Sequence, residues 1–254
     1  MDYKTLMDIA ILAGKIMLES NAETYRVEDT MNHILKTSKF ETTEALAIAT
    51  GLVATLDDSS IDDPITIVKR INSRDTNLNK IAVVNTISRQ LTSEEITIPE
   101  AYAALQNIEK EQYKRLYKDL AISALAASFA LLLGGGIFEI LAAGINGGLL
   151  ALVLKGEKKL DMGSFVRNVL SSAVISVGAG LMHAFLFPTL NMHLVITGTI
   201  MPLVPGTAIT NAIRDTLQGD YMSGGAKALE AFVVALSIAL GVAIGLVLIG
   251  GVVF

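Results

Sequence analysis

The spacing of hydrophobic positions changes part-way along the chain, and that change divides it. Over residues 1–117 apolar and polar positions mix in short amphipathic stretches; from 118 onward long apolar runs are separated by short polar loops. Tyr3, Leu6, Met7, Ala10, Ala13, Gly14 and Met17 recur at helical spacing and predict a first helix. Ser20–Asn21 stops it, and Ser20 to Glu23 has capping-box spacing for a second helix. That helix places Val27, Met31 and Ile34 inside and Glu28, Asn32 and Lys36 outside. ALAIATGLVATL (45–56) and the alternating, β-branched ITIVKRI (65–71) predict two strands. The acidic stretch DDSSIDD (57–63) between them reads as a solvated hairpin loop. Two more helices follow, 77–90 and one opened by Pro99. The latter carries Ala101, Leu105, Ile108 and Leu116 and is expected to run into the membrane. The expectation is an α+β domain over 1–117 with its own core.

Residues 118–254 predict an all-α membrane domain of five runs, 119–135, 137–154, 165–187, 193–213 and 225–254. Each is near or above the roughly 17–25 residues a spanning helix needs. Basic residues cluster in alternate loops. Lys110, Lys114, Arg115 and Lys118 precede the first run; Lys155, Lys158, Lys159 and Arg167 lie between the second and third; Arg214 and Lys227 lie between the fourth and fifth. The loops GGGIFE and PTLNMH carry none. By the positive-inside rule the N-terminal domain is cytoplasmic and Phe254 lies outside. Close helix packing is expected at Gly144 with Gly148, at Gly241 with Gly245, and at Gly178 with Gly180.

The fourth run carries a break. In VITGTIMPLVPGTAITNAIRD (195–215), Pro202 and Pro205 each remove a backbone donor and Gly206 adds backbone freedom. Freed carbonyls at membrane depth survive where protein or a water-filled cavity covers them. Thr207, Thr210 and Asn211 follow, with Arg214 and Asp215 closing the segment, and these are the candidate substrate path. A helix restarting there aims its positive end at an anionic group. Polar groups inside the other runs are further candidates for proton or solute handling: Asn146, His183, Glu230 and, at the outer face, Glu139. In the N-terminal domain the cluster Glu23, Tyr25, Arg26, Glu28 and Asp29 could clamp a ligand or partner, or be a charged helix face.

Composition narrows the classes. The chain has 254 residues, 52% of them hydrophobic, and a mean hydropathy of +0.53, which together indicate a membrane protein. A net charge of −5 gives no basic face for nucleic acid. No cysteine and three scattered histidines give no expected metal or cofactor site. The N-terminus is not read as a signal peptide, since its early residues mix acidic and basic groups and its apolar run is short. No P-loop, G-x-S-x-G or H-E-x-x-H motif is present, so no enzyme is expected. A membrane-tethered enzyme or sensor using the N-terminal acidic/Arg cluster is the alternative to transport.

Two stretches carry a resemblance. AGKIMLESNAETYRVEDTM (13–31) is similar to the GA-x-x-x-R-V-E segment of the bacterial threonine/serine exporter family, with Asn21 in place of the usual Gly. MPLVPGTAITNAIRDTLQGDYMSGG (201–225) resembles that family's P-x-x-P-G…N-x-x-R-D…G-D-x-x-S-G segment. The resemblance implies a multi-pass exporter of small polar carboxylates in the inner membrane, coupled to the proton gradient. It is to the large subunit of the split form, associated with succinate, in which a small integral-membrane partner subunit supplies further spans. The fused form is associated with threonine and serine. A higher oligomer is a further possibility.

Overall fold

The computed structural model describes residues 3–109, 113–157 and 162–253. Lys110, Lys158, Lys159 and Phe254, used above for orientation, lie outside the described residues. The chain divides into two compact units, Met1–Lys110 with Gly206–Leu229, and Glu111–Pro205 with Glu230–Phe254. The segment 206–229, read from sequence as the end of a span and a loop, thus groups with the N-terminal residues.

The first unit is built around α1 (Tyr3–Glu19), which packs on α2 (Thr24–Lys36), α3 (Leu78–Thr92) and α4 (Ile98–Gln106). The predicted stripe is the buried face of α1: Leu6, Met7, Ala10, Ala13, Gly14 and Met17. Gly14 is there because a Cβ would stand 2.3 Å from Met31 Sδ on α2. Val27, Met31 and Ile34 are buried on α2 as predicted.

The strands differ from expectation. Residues 45–56 do not form one strand; β1 (Thr42–Ile48) and β2 (Gly51–Asp57) form an antiparallel hairpin, and β3 (Ile65–Arg70) adds a third strand in the order β1-β2-β3. Ile48 pairs with Gly51, leaving Ala49 and Thr50 as a two-residue turn. Ala45, Ala47, Leu52, Ala54 and Leu56 face the helices. Pro99 does open α4, inside a complete Thr97/Glu100 capping box. That helix does not continue into the apolar region; a short 3₁₀ turn ends at Glu109 and Leu116 sits on a separate helix.

The second unit holds α5 (Arg115–Leu132), α6 (Ile137–Glu157), α7 (Ser164–Phe185) and α8 (Met192–Ile200), with a 3₁₀ turn at Met201–Leu203. To these it adds α10 (Tyr221–Val253) from Glu230 onward. Its polarity is reversed relative to the first unit. Leu131, Leu132, Ile137, Leu141, Ile145, Leu152 and Phe232 are exposed, whereas Asn146, Ser171, Ser172, Ser176, Thr199 and Ser237 are buried. Apolar outer surface over a polar-studded interior suits hydrocarbon as solvent.

Among the described residues three helices are long and apolar enough to cross a membrane: 137–156, 164–185 and 221–250. A fourth is added if Met192–Leu203 and Gly206–Leu217 count as one. The run 119–135 is not among them. Its helix α5 begins with Arg115, Lys118 and Asp119, and its apolar part, Leu120 to Leu132, reaches only about 20 Å at 1.5 Å per residue. The α-helix stops at Ile200, a 3₁₀ turn follows at Met201–Leu203, and α-helix resumes at Gly206 as α9 (Gly206–Leu217). Val204, held extended before Pro205, separates the two.

Small residues pack this unit, though not all at the expected places. Gly144 and Gly148 have ordinary clearances, 3.6 and 3.5 Å; the tight position on α6 is Gly147, whose Cβ would lie 2.9 Å from both Ala126 Cβ and Ser123 Cα. Gly178 makes room for Asn146 and Gly180 for Ile249.

Candidate functional site

Within the first unit, the α1–α2 turn and α9 are stitched together by side chains from both stretches that carried the resemblance. Helix α1 ends in a Schellman motif: Ala22 N–H bonds Met17 O at 3.0 Å and Asn21 N–H bonds Leu18 O at 3.1 Å. Asn21 sits in the left-handed region, φ 63°. After glycine, asparagine is among the few residues that visit that region routinely, which accounts for Asn where the motif has Gly.

The capping box read at Ser20 and Glu23 does not form. Glu23 is the N-cap residue of α2 but makes no side-chain cap bond. The cap comes from α9: Thr24 N–H donates to Asp215 Oδ1 at 3.0 Å and Thr24 Oγ1–H to Oδ2 at 3.0 Å. A carboxylate there also faces the positive end of the α2 dipole.

Asp215 is paired with Lys227, not with Arg214. Lys227 Nζ donates to Asp215 Oδ2 at 2.7 Å, Ala22 O at 3.1 Å and Thr24 Oγ1 at 3.3 Å. The two residues are 0% and 1% exposed. All three ammonium protons have acceptors, the condition under which a buried pair is tolerated.

Arg214 instead reaches Glu23 Oε1. Asn211 Nδ2 donates to Asn21 O at 2.6 Å, and Thr207 Oγ1 lies 2.8 Å from Thr76 Oγ1. Asn211, Arg214 and Asp215 therefore hold one face of α9 to residues 21–24. The rest of the motif is a helical corner. Gly219 (φ 92°) ends α9 in a second Schellman motif, Asp220 Oδ1 accepts Ser223 N–H at 3.0 Å to cap α10, and a Cβ on Gly224 would stand 2.3 Å from Thr216 Oγ1.

Beside this junction lies a cleft of about 270 Å³. Asn21, Glu23, Arg26, Asn85, Thr207 and Asn211 line it, with Leu78, Ile81 and Ala82 as an apolar wall. Of the candidate residues it thus gathers Glu23, Arg26, Thr207 and Asn211, with Arg214 and Asp215 immediately behind. Thr210 is exposed and bonds its own helix at Gly206 O. Pro202 and Pro205 lie in the other unit. A Cβ at Gly206 would meet nothing within 4 Å, so no close approach demands glycine there.

Tyr25 and Asp29 are exposed, Asp29 beside His33 at 3.3 Å. Glu28 is not on an outer face: it accepts Ala47 N–H at 2.9 Å and ties α2 to β1. Burial, and then the nearby charges of Asp220, Glu44 and Asp215, push its carboxyl above the usual 4.5, against the opposing pull of the Ala47 bond. The folded state therefore holds that proton more tightly than the unfolded chain. Its contribution to stability is full below 4.5 and is lost as pH rises through the raised folded value. Glu28→Gln keeps an acceptor for Ala47, so thermal unfolding of the chain in detergent should occur at higher temperature than wild type at pH 7. The difference should vanish toward pH 4; an advantage that persists unchanged at pH 4 would contradict the assignment.

The remaining candidates lie in the second unit or next to its boundary. Asn146 is fully buried, donates to Ile175 O at 2.9 Å, and has no partner for Oδ1 among the described residues. His183 Nδ1 lies 2.9 Å from Leu190 O, and Glu139 Oε1 accepts Asn191 N–H at 2.9 Å; both brace the α7–α8 connection. Glu230 is exposed, one turn beyond Lys227 on α10.

The sequence profile of the threonine/serine exporters matches residues 8–249. This chain belongs to the threonine/serine exporter family. The family is one of membrane exporters rather than of enzymes. A Mycobacterium tuberculosis protein named "Probable threonine/serine exporter" is 18% identical over 245 residues, covering 96% of this chain and 46% of that protein. An uncharacterised Schizosaccharomyces pombe protein is 23% identical over 199 residues, 74% of this chain and 23% of that protein. The chain therefore spans less than half the length of these relatives. No solved structure matches it.

Sequence reasoning missed Lys227, Thr24 and Thr76 as members of the junction. The charge pattern marks Lys227 only as a basic residue of the loop before the fifth run. The signal is its setting: a lysine four residues after Ser223, near the start of a long and mostly apolar helix, calls for a carboxylate partner.

Proposed function

We propose that this chain forms one half of an exporter that carries a small polar carboxylate metabolite, threonine/serine or succinate, out across the inner membrane with the proton gradient. The observation that carries the reading is the reversed polarity of the second unit, apolar outside and studded inside with Asn146, Ser172, Ser176 and Thr199, in a chain of an exporter family. In this reading α5 supplies a fifth crossing, with Arg115 and Lys118 at headgroup level. Helices α8 and α9 act as one span interrupted at Pro202–Pro205. Thr207, Thr210 and Asn211 then follow the break, where broken helices place solute sites. The N-terminal part of the first unit is cytoplasmic, α9 ends at the cytoplasmic mouth, and the far end of α10 faces out. The second membrane half is a small partner subunit or further polypeptide; the greater length of the relatives supports its existence.

The test is reconstitution of the chain in proton-loaded vesicles, alone and with the candidate second half, offering labelled threonine, serine and succinate. Export only by the complex, abolished by a protonophore, is expected. Impermeant thiol labelling of intact cells should mark Thr189→Cys, and Ser60→Cys only after the membrane is opened. Gradient-independent movement, the opposite labelling, or full transport by the chain alone would overturn coupling, orientation or the half-transporter reading respectively.

A further inference from the structure

We propose that the cleft beside Glu23 binds a zwitterionic α-amino acid, its ammonium on Glu23 Oε2 and its carboxylate on Arg26; the proposal rests on the export reading and narrows its substrate. Glu23 is only 7% exposed, yet it lines the cleft. Arg214 occupies Oε1, while Oε2 is buried without a hydrogen-bond partner among the described residues. A buried carboxylate oxygen left without a donor is costly, and a ligand ammonium would supply three.

The cation that faces Oε2 is Arg26, whose Nε stands 3.3 Å away without making a hydrogen bond. The Arg26 side chain is 53% exposed and has no other ion pair among those the structure shows, so its planar fork remains open to a carboxylate. Cation and anion thus stand side by side, as the ammonium and carboxylate of an amino acid do across one Cα. Thr207, Asn21 and Asn211 offer polar groups to a hydroxyl, and Leu78, Ile81 and Ala82 offer an apolar wall to a methyl. At about 270 Å³ the cleft has room for a small amino acid. A dicarboxylate would instead set its second negative charge against Glu23.

The experiment measures binding to the full chain in nanodiscs by calorimetry, with five probes: L-serine, L-threonine, glycerate (no ammonium), threoninol (no carboxylate) and succinate. Serine and threonine should bind roughly 10- to 100-fold more tightly than the other three, the range a charge-assisted hydrogen bond carries. Arg26→Gln should remove that advantage over threoninol, and Glu23→Gln the advantage over glycerate. Because Glu23 also holds Arg214, Ala82→Phe serves as a second variant: it fills the cleft from an exposed wall position and should block binding with both ion pairs intact. Succinate binding as tightly as serine, or serine affinity unchanged in both Arg26→Gln and Ala82→Phe, would overturn the proposal. A wild-type chain that exports amino acids with its partner but binds none here would overturn the site and leave the export reading standing. Amino-acid binding here without export by any complex would support the site and overturn that reading.

Discussion

Lys227→Ala should destabilise the first unit by about 3–5 kcal/mol, the cost of stranding a buried charge. Lys227 and Asp215 are both essentially inaccessible to solvent. The substitution leaves Asp215 with only the two Thr24 donors and leaves Ala22 O without its side-chain donor. The effect should be local before it is global. Hydrogen exchange in the full chain should rise first at residues 22–27 and 211–216, because Asp215 is what caps α2. Replacing both partners by apolar groups, Lys227→Met with Asp215→Leu, should recover part of the loss by removing the stranded charge, but not the cap. A Lys227→Ala chain with wild-type exchange at these residues would mean that the pair contributes nothing to the junction.

This junction was only half legible in the sequence. Both of its motifs could be singled out, but nothing local says that they meet. The turn 20–24 looked self-sufficient, because Ser20 and Glu23 have capping-box spacing; the box failed because Glu23 lies one residue before α2 and is engaged by Arg214, about 190 positions away. Residues 206–217 looked like the end of a span because the run 193–213 is apolar on average. Their periodicity says more. Ala208, Asn211, Ala212 and Asp215 form the buried stripe of α9, and a stripe of small and polar residues fits a protein surface better than lipid.

The fold shows the same division. Helices α1 and α2 were readable because their apolar positions keep a strict helical period and face a single core. The β1–β2 hairpin was not, since Ala49–Thr50 lacks the Asn-Gly or Asp-Gly signature that marks a two-residue turn. Helix α5 is legible in composition but not in length: between Asp119 and the glycines at 134–136 little apolar helix remains, so a crossing there needs Arg115 and Lys118 at headgroup level.

Gly241→Ala, and Gly245→Ala with it, should each destabilise the second unit by more than the about 1–3 kcal/mol usual for overpacking, and so disrupt the seating of α10 on α7. A Cβ at 241 would stand 2.2 Å from Val169 O and 2.8 Å from Ser172 Cβ; one at 245 would stand 2.6 Å from Ala173 O and 2.5 Å from Ser176 Cβ. The nearest obstacle at 241 and a close one at 245 are backbone carbonyls of α7, which cannot rotate aside as a side-chain end can. The helices must therefore separate, losing packing along the rest of their contact. Three controls isolate the cause. Gly250→Ala meets nothing within 4 Å, and Gly144→Ala and Gly148→Ala meet only ordinary contacts near 3.5 Å. These should be neutral or slightly stabilising, because alanine is a better helix former than glycine by about 1 kcal/mol. Thermal unfolding in one detergent, with all five variants side by side, reads the contrast. A GxxxG spacing alone would rank 144/148 with 241/245; the backbone approach ranks them apart, and equal melting of the two pairs would sink the assignment of α7 as the surface on which α10 seats.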